Sequence, residues 1–400
     1  MTSRDVVVYG ATGALGSHVA GELAARGIAV ILAGRNGVQL RALPGAEHGV
    51  RVATIDDPAS LRTAFAGARL VVNCAPAERT GVAVLAAAIA AGAGYLDAAD
   101  EQGFVRTAYE RHESAARRAG VAVVSGMGFA IAVGDLAAAW AASGLVGDPP
   151  GRGPGGALAR GEAPGRIADE EPLDEVAVSY VFDGDGSTAA RLAAEALFAP
   201  GVEWRCDRWD PVSPAATRRR INAGRELGGE RDAVAVPLGD VITVPRHIAA
   251  RRVATFASLT RSRWATRALD VAGRFAALLA PSPGVAPRTG GLGAAIRGLV
   301  PDAGFVLGSA PLPPDLRARA RFAVIAQCRR GFDAAQVRVT GADAHHVGAL
   351  MLVEAAAALA SRHAGPVGVL APAEAFAPAA LLTAVADRAD LSIDTSFLPS

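Results

Sequence analysis

Seven histidines and four tyrosines are the aromatic acids and bases of this 400-residue chain, and all 40 of its basic side chains are arginine. The absence of lysine excludes Schiff-base chemistry, a phosphate-loop lysine and the Tyr-x-x-x-Lys pair of short-chain dehydrogenases. Four side chains remain as candidates to polarise or protonate a reacting group. Tyr95 and Asp97 close an apolar run in Gly94-Tyr-Leu-Asp97, with Glu101 a short turn later, and His247 ends another run beside Arg246. Each also has a structural alternative. Tyr95, Asp97 and Glu101 could cap the helix that follows and bond between domains, and a lone histidine is commonly a structural hydrogen-bonder. No metal site is expected: Cys74, Cys206 and Cys328 are far apart, and the adjacent His345 and His346 lack a spaced third ligand.

A proton donor of this kind needs a partner that does the harder chemistry, and residues 5–36 supply its binding pattern. An apolar run ends in Gly10, Ala11, Thr12, Gly13, Ala14, Leu15 and Gly16, and an alanine-rich helical pattern leads from there to a second apolar run. Such a turn lets the backbone approach a pyrophosphate while the new helix presents free N–H groups and its positive end. Three glycines alone would equally suit a βα turn without a ligand; their place between a strand and a helix, followed by a selectivity residue, favours a dinucleotide. That selectivity residue is Arg35, helped by Asn36, where an NAD-preferring site carries Asp or Glu. A guanidinium suits a 2′-phosphate, so the expected cofactor is NADP(H). Further along, Asp57 could accept the adenine amino group or cap the helix beginning at Pro58, two compatible roles. Cys74, Ala75 and Pro76 end the fourth strand, where the chain passes under the nicotinamide side.

Strands alternate with helices up to residue 128, which predicts a doubly wound parallel sheet of the Rossmann type. Residues 148–170 are rich in Pro and Gly and read as a loop. Beyond them come β runs at 176–182, 234–236, 241–244, 253–257, 321–327 and 336–340, with helices expected at 189–197 and 264–279. These predict an α+β domain of mixed or antiparallel sheet. The expected division is 1–128 for cofactor binding, 129–343 for the substrate and interface domain, and 344–400 for a helix and tail packing back on the first domain. Asp135 is expected to cap a helix starting there. The run Arg218-Arg-Arg220 reads as a solvated face or as a contact for a carrier or coenzyme phosphate.

Composition narrows the partners. A formal net charge of +1 provides no field for nucleic acid or an acidic membrane. The apolar stretches 128–147 and 268–281 are interrupted by charges, so no integral span is expected, although the second could lie on a lipid surface. Unpaired cysteines without a secretory signal point to the cytoplasm.

Several motifs together resemble the saccharopine dehydrogenase-like oxidoreductases, which include trans-acting enoyl reductases. They are the Gly10–Gly16 turn, Ala33-Gly-Arg-Asn36, residues 85–97, Phe104-Val-Arg106, and Gly126-Met-Gly-Phe129 ahead of Gly134-Asp-Leu136. The likeness is clearest over residues 5–140. It implies an NADP-binding Rossmann domain, an α+β domain and hydride transfer in the cleft between them. Ala130-Ile-Ala-Val-Gly134 and Ala77-Glu-Arg-Thr80 depart from the relatives near the substrate, so substrate identity does not carry over. The expected function is NADPH-dependent reduction of a C=N, C=C or C=O bond in a small or carrier-bound biosynthetic intermediate, in a chain that could form a homodimer. The alternatives are a non-catalytic NADP-binding sensor or scaffold, and a C–N bond-forming synthase that uses the cofactor transiently.

Overall fold

The computed structural model describes residues 6–147, 166–183, 201–212, 217–258, 319–361 and 365–398. Strand β1 (Val6–Tyr9) is buried along its whole length, and its Val-Val-Val run fits a strand covered on both faces. It lies between β2 (Val30–Gly34) and β4 (Leu70–Asn73), parallel to both. With β3 (Val50–Val52), β5 (Gly94–Asp97), β6 (Ala122–Val124) and β15 (Gly368–Leu370) it forms a seven-stranded parallel sheet in the order β15-β6-β5-β4-β1-β2-β3. The order reverses between β1 and β4, and the crevice at such a reversal is where open α/β sheets bind ligands. Helices α1 (Ala14–Ala25), α2 (Gly37–Arg41), α3 (Pro58–Phe65), α4 (Ala77–Ala90) and α5 (Gln102–Ala119) connect these strands.

Local chemistry sets the helix ends. Asp57 accepts from Ala59 N at 2.9 Å with Pro58 in the first turn of α3, and Asn36 accepts from the N–H groups of Val38 and Gln39 to start α2. Helix α5 stops at Gly120, whose φ of 68° is left-handed.

The second sheet is mixed. Its main path is β10-β11-β12-β7-β13-β14-β16, in which β11 is Glu230–Ala235, with the hairpin of β8 (Gly201–Arg205) and β9 (Arg208–Val212) attached to β12 (Arg252–Ser258). Strand β7 (Glu175–Asp183) runs parallel to β12 and antiparallel to β13 (Arg321–Arg330). The edge strand β10 (Arg218–Asn222) contains the arginine run, and alternation along it separates the three side chains. Arg218 and Arg220 are exposed, whereas Arg219 turns inward to Glu175 at 2.7 Å.

Helix α6 (Phe129–Leu145) is almost wholly buried and packs on β13 and β14 (Asp333–Ala342) of the second sheet. Asp135 lies inside it rather than at its start, because α6 begins at Phe129. Residues 241–244, expected as a strand, belong to helix α7 (Asp240–His247). Every residue from Asp240 to Pro245 is buried, so the β-branched run carries no helical periodicity to read, and packing overrides its strand propensity. Pro245 lacks an N–H, and the helix ends two residues beyond it.

Helix α8 (Ala344–Ser361) packs against α1, α6 and the β4–β5 face of the parallel sheet. It is long and apolar enough by composition to cross a membrane, yet half of that window is buried in the protein. The chain then contributes β15 to the parallel sheet. The tail does not stay there: β16 (Ser392–Leu398) pairs antiparallel with β14, at the edge of the second sheet. Of the loop expected at 148–170, residues 148–165 lie outside the described residues, as do the helices expected at 189–197 and 264–279 and the stretch 268–281.

Candidate active site

The turn after β1 is shaped by contacts that exclude side chains. Gly10 has a φ of 80°, and a Cβ there would stand 2.8 Å from Ala75 N across the crevice. A Cβ on Gly16 would overlap Gly10 O, so the first turn of α1 can lie on the turn only as glycine. Gly13 differs: its φ of −77° is ordinary, and a Cβ would be 3.3 Å from Gly10 O. The N–H groups of Ala14, Leu15 and Gly16 have no acceptor among the described residues. They stand at the positive end of a twelve-residue helix, beside a backbone without side chains. An anion fits there.

From this turn a cleft of about 890 Å³ opens between the ends of β1, β2 and β4, within the range of cofactor sites. Gly10, Thr12 and Gly13 form one part of its wall and Cys74, Ala75 and Pro76 another. Arg35 and Asn36 line its far end, where the Asn36 side chain is committed to capping α2. Ala11 is fully buried behind the wall. Asp57 is committed to capping α3, and its neighbour Asp56 lines the cleft in its place. Arg41, Arg79 and Thr80 also line it. They carry no motif, and only the helical return of α2 and the first turn of α4 bring them to the glycine turn.

Three of the four candidate proton donors are elsewhere. Tyr95 is fully buried; its hydroxyl accepts from Asn73 Nδ2 at 3.1 Å and bonds to Asp97. Burial and the Asp97 charge hold this phenol well above its ordinary range. Asp97, equally buried, accepts from Ala99 N and Gly126 N at 2.9 Å and from the Ser125 hydroxyl at 3.0 Å. Burial raises its carboxyl while these donors oppose the rise. Asn73 in turn accepts from Ala75 N at 3.1 Å. Tyr95 and Asp97 therefore brace the strand ends under the cleft rather than facing a ligand. His247 is fully buried on α7, with Nε2 2.8 Å from Asp135 Oδ2. Burial, then the Asp97 charge, push the Cys74 thiol up to about 12, which disfavours the thiolate a nucleophile needs.

One titratable group at the strand ends is poised differently. Glu101 follows β5, is only half-buried, and forms a β-bridge with Leu238 of the second domain. Burial, then the charges of Asp100 and Glu78, push its carboxyl up to about 8. Glu78 sits in the first turn of α4, immediately after the Cys74–Pro76 wall. The adjacent Gln102 side chain ties the domains together, donating to Val202 O at 3.0 Å and Leu238 O at 3.1 Å and accepting from Val202 N at 2.9 Å. No group of three or more metal-ligating side chains occurs among the described residues.

Residues 6–124 match the family model of the saccharopine dehydrogenase NADP binding domain. Among solved structures, the chain is similar to apo saccharopine dehydrogenase (L-Glu forming) from Saccharomyces cerevisiae, with 14% identity over 99% of this chain and 100% of that one, at a TM-score of 0.58. That likeness is one of fold. Triphenylmethane reductase from Citrobacter sp., complexed with NADP(H), matches over 30% of this chain and 48% of its own at 23% identity and a TM-score of 0.24. No curated protein matches the sequence.

Proposed function

We propose that this chain, an NADP-dependent oxidoreductase whose N-terminal domain belongs to the saccharopine dehydrogenase NADP-binding family, reduces a C=N, C=C or C=O bond of a small or carrier-bound intermediate. The observation that carries the reading is the cleft itself. A glycine turn with unsatisfied N–H groups lies at one wall, Arg35 at its far end and the Cys74–Pro76 strand end opposite, which fits a dinucleotide bearing a 2′-phosphate.

When bound, NADPH supplies the hydride. The protein's part is to hold the dinucleotide, orient the substrate against it and provide a proton. Gly10, Gly13 and the start of α1 hold the pyrophosphate and Arg35 the 2′-phosphate. Asn73, Tyr95 and Asp97 keep the Ala75 turn in place beneath the cleft. Glu101, which retains its proton near neutrality at the junction with the second domain, supplies the proton that accompanies the hydride and regains one from solvent.

The experiment is NADPH deuterated on the transferred face, incubated with a panel of imines, activated alkenes and ketones, with mass spectrometry of the products. Deuterium retained in product is the expected result. Deuterium found only in recovered cofactor would favour a synthase with transient redox, and no oxidation with any class would favour a sensor.

A further inference from the structure

We infer that Arg41 and Arg79 complete a three-arginine cradle for the cofactor's phosphates: Arg41 joins Arg35 on the 2′-phosphate, and Arg79 faces the pyrophosphate from the opposite wall. The inference rests on the NADP(H) reading of the cleft and adds to it two residues outside the glycine turn and the β2 end.

Convergence on one concavity sets these arginines apart. The chain ordinarily pairs its half-buried guanidinia: Arg26 with Glu354, Arg219 with Glu175, Arg246 with Glu374, and Arg252 with both Glu175 and Glu203. Arg35, Arg41 and Arg79 are more exposed than those, yet all three line the cleft, and none of their guanidinium groups has an ion pair or hydrogen bond among the described residues. Three guanidinia around one concavity outnumber the Asp56 carboxylate of its lining, and an anion placed among them is favoured by the excess positive charge.

The backbone explains how they converge. Arg41 ends α2 four residues after Gly37, so it returns to the same side of the helix. A Cβ on Gly37 would lie 3.3 Å from Arg41 Nη2 and 2.8 Å from Val52 Cγ2. The absence of a side chain at Gly37 thus lets the guanidinium fold back toward the Arg35 end of the cleft. Arg79 comes from the other side, in the first turn of α4, and the Gly10–Ala75 approach brings that wall next to the glycine turn.

The balance of charge fits NADP(H) rather than NAD(H). Against three guanidinia the cleft lining sets the Asp56 carboxylate, with Glu78 adjoining and turned to Glu101. Both dinucleotides bring the pyrophosphate charges. The 2′-phosphate adds about −1.5 to −2 at neutral pH, and without it Arg35 and Arg41 would lose their partner.

The test is fluorescence titration of the full chain with NADPH, NADH and 2′,5′-ADP at two salt concentrations. Arg41→Ala should weaken NADPH and 2′,5′-ADP by roughly 10- to 100-fold, as loss of a charge-assisted bond does, and leave NADH nearly unchanged. Arg79→Ala should weaken NADPH and NADH by a common factor. Each variant should flatten the salt dependence of NADPH binding. Both side chains are exposed, so melting temperature without cofactor should not move. An Arg41→Ala variant with an unchanged NADPH to NADH ratio, or an Arg79→Ala variant that binds both as the parent does, would overturn the inference. A parent that binds no NADPH would instead overturn the reading of the cleft on which it rests.

Discussion

His247 Nε2 and Asp135 Oδ2 are 2.8 Å apart, and neither side chain has exposed surface. The second Asp135 oxygen accepts from Ala373 N at 2.8 Å, so one buried carboxylate joins α6, α7 and the chain after β15. Removing one partner of such a buried pair leaves the other uncompensated, at a cost of about 3–5 kcal/mol. His247→Leu should therefore lower the free energy of unfolding by that amount in urea titration, while folded variant protein still binds NADPH. A variant of parental stability that has lost turnover would restore His247 to the chemistry.

Glu101 gives a pH dependence of known sign. Its carboxyl is raised from the ordinary 4.5 to about 8, by burial first and then by the neighbouring carboxylates. Between those values the unfolded chain has released a proton that the folded chain keeps, so this contribution to stability is present in full below 4.5 and is lost as pH rises through about 8. Glu101→Gln cannot ionise. The stability difference between parent and variant, followed by melting temperature against pH, should therefore shift in the variant's favour across that window. In turnover, the parent should lose rate above about pH 8 and the variant should run about 10²- to 10⁴-fold slower without that limb. A stability difference independent of pH would show that Glu101 ionises as an exposed glutamate does.

The glycines of the turn should separate folding from binding. Gly16→Ala puts a methyl into Gly10 O and should destabilise the chain with or without cofactor. Gly13→Val keeps an ordinary φ, and its Cβ meets only Gly10 O, at 3.3 Å. It should leave the cofactor-free melting temperature nearly unchanged and abolish NADPH binding, because the branched side chain occupies the approach to the backbone. Parental affinity in Gly13→Val would place the pyrophosphate elsewhere.

The glycine turn and the Arg35 wall of the cleft were legible in sequence because their signals are local. Gly10, Gly13 and Gly16 follow a buried strand and open a helix, and Arg35 follows the next strand at a fixed offset. The rest depends on contacts distant in sequence. Arg79 and Asp56 reach the cleft through the topology of the sheet. Tyr95 and Asp97 stand at the strand end where ligands gather, and only the bonds to Asn73, Ser125 and Gly126 reveal that they brace it. Val241-Ile-Thr-Val244 reads as a strand by propensity, but burial on all sides removes the period that would have distinguished a helix. Strand β16 joins the second sheet through pairing with β14, a register that apolar patterning at the tail does not specify.

Cofactor choice provides the most direct separation of readings. Arg35 stands at the end of the cleft beyond β2, near Tyr9 and Asp56, where an acidic residue would hold ribose hydroxyls in an NAD site. Arg35→Asp removes a charge-assisted partner of the 2′-phosphate and adds a repulsion beside Asp56, so NADPH affinity should fall by roughly 2–4 kcal/mol. NADH lacks that phosphate and gains an acceptor for its hydroxyls, so its affinity should hold or rise and the preference should move toward NAD(H). Calorimetric titration of parent and variant with both dinucleotides measures the two shifts separately. Equal NADPH affinity in parent and variant would remove Arg35 from the site. An equal loss for both dinucleotides would place its guanidinium on the pyrophosphate instead.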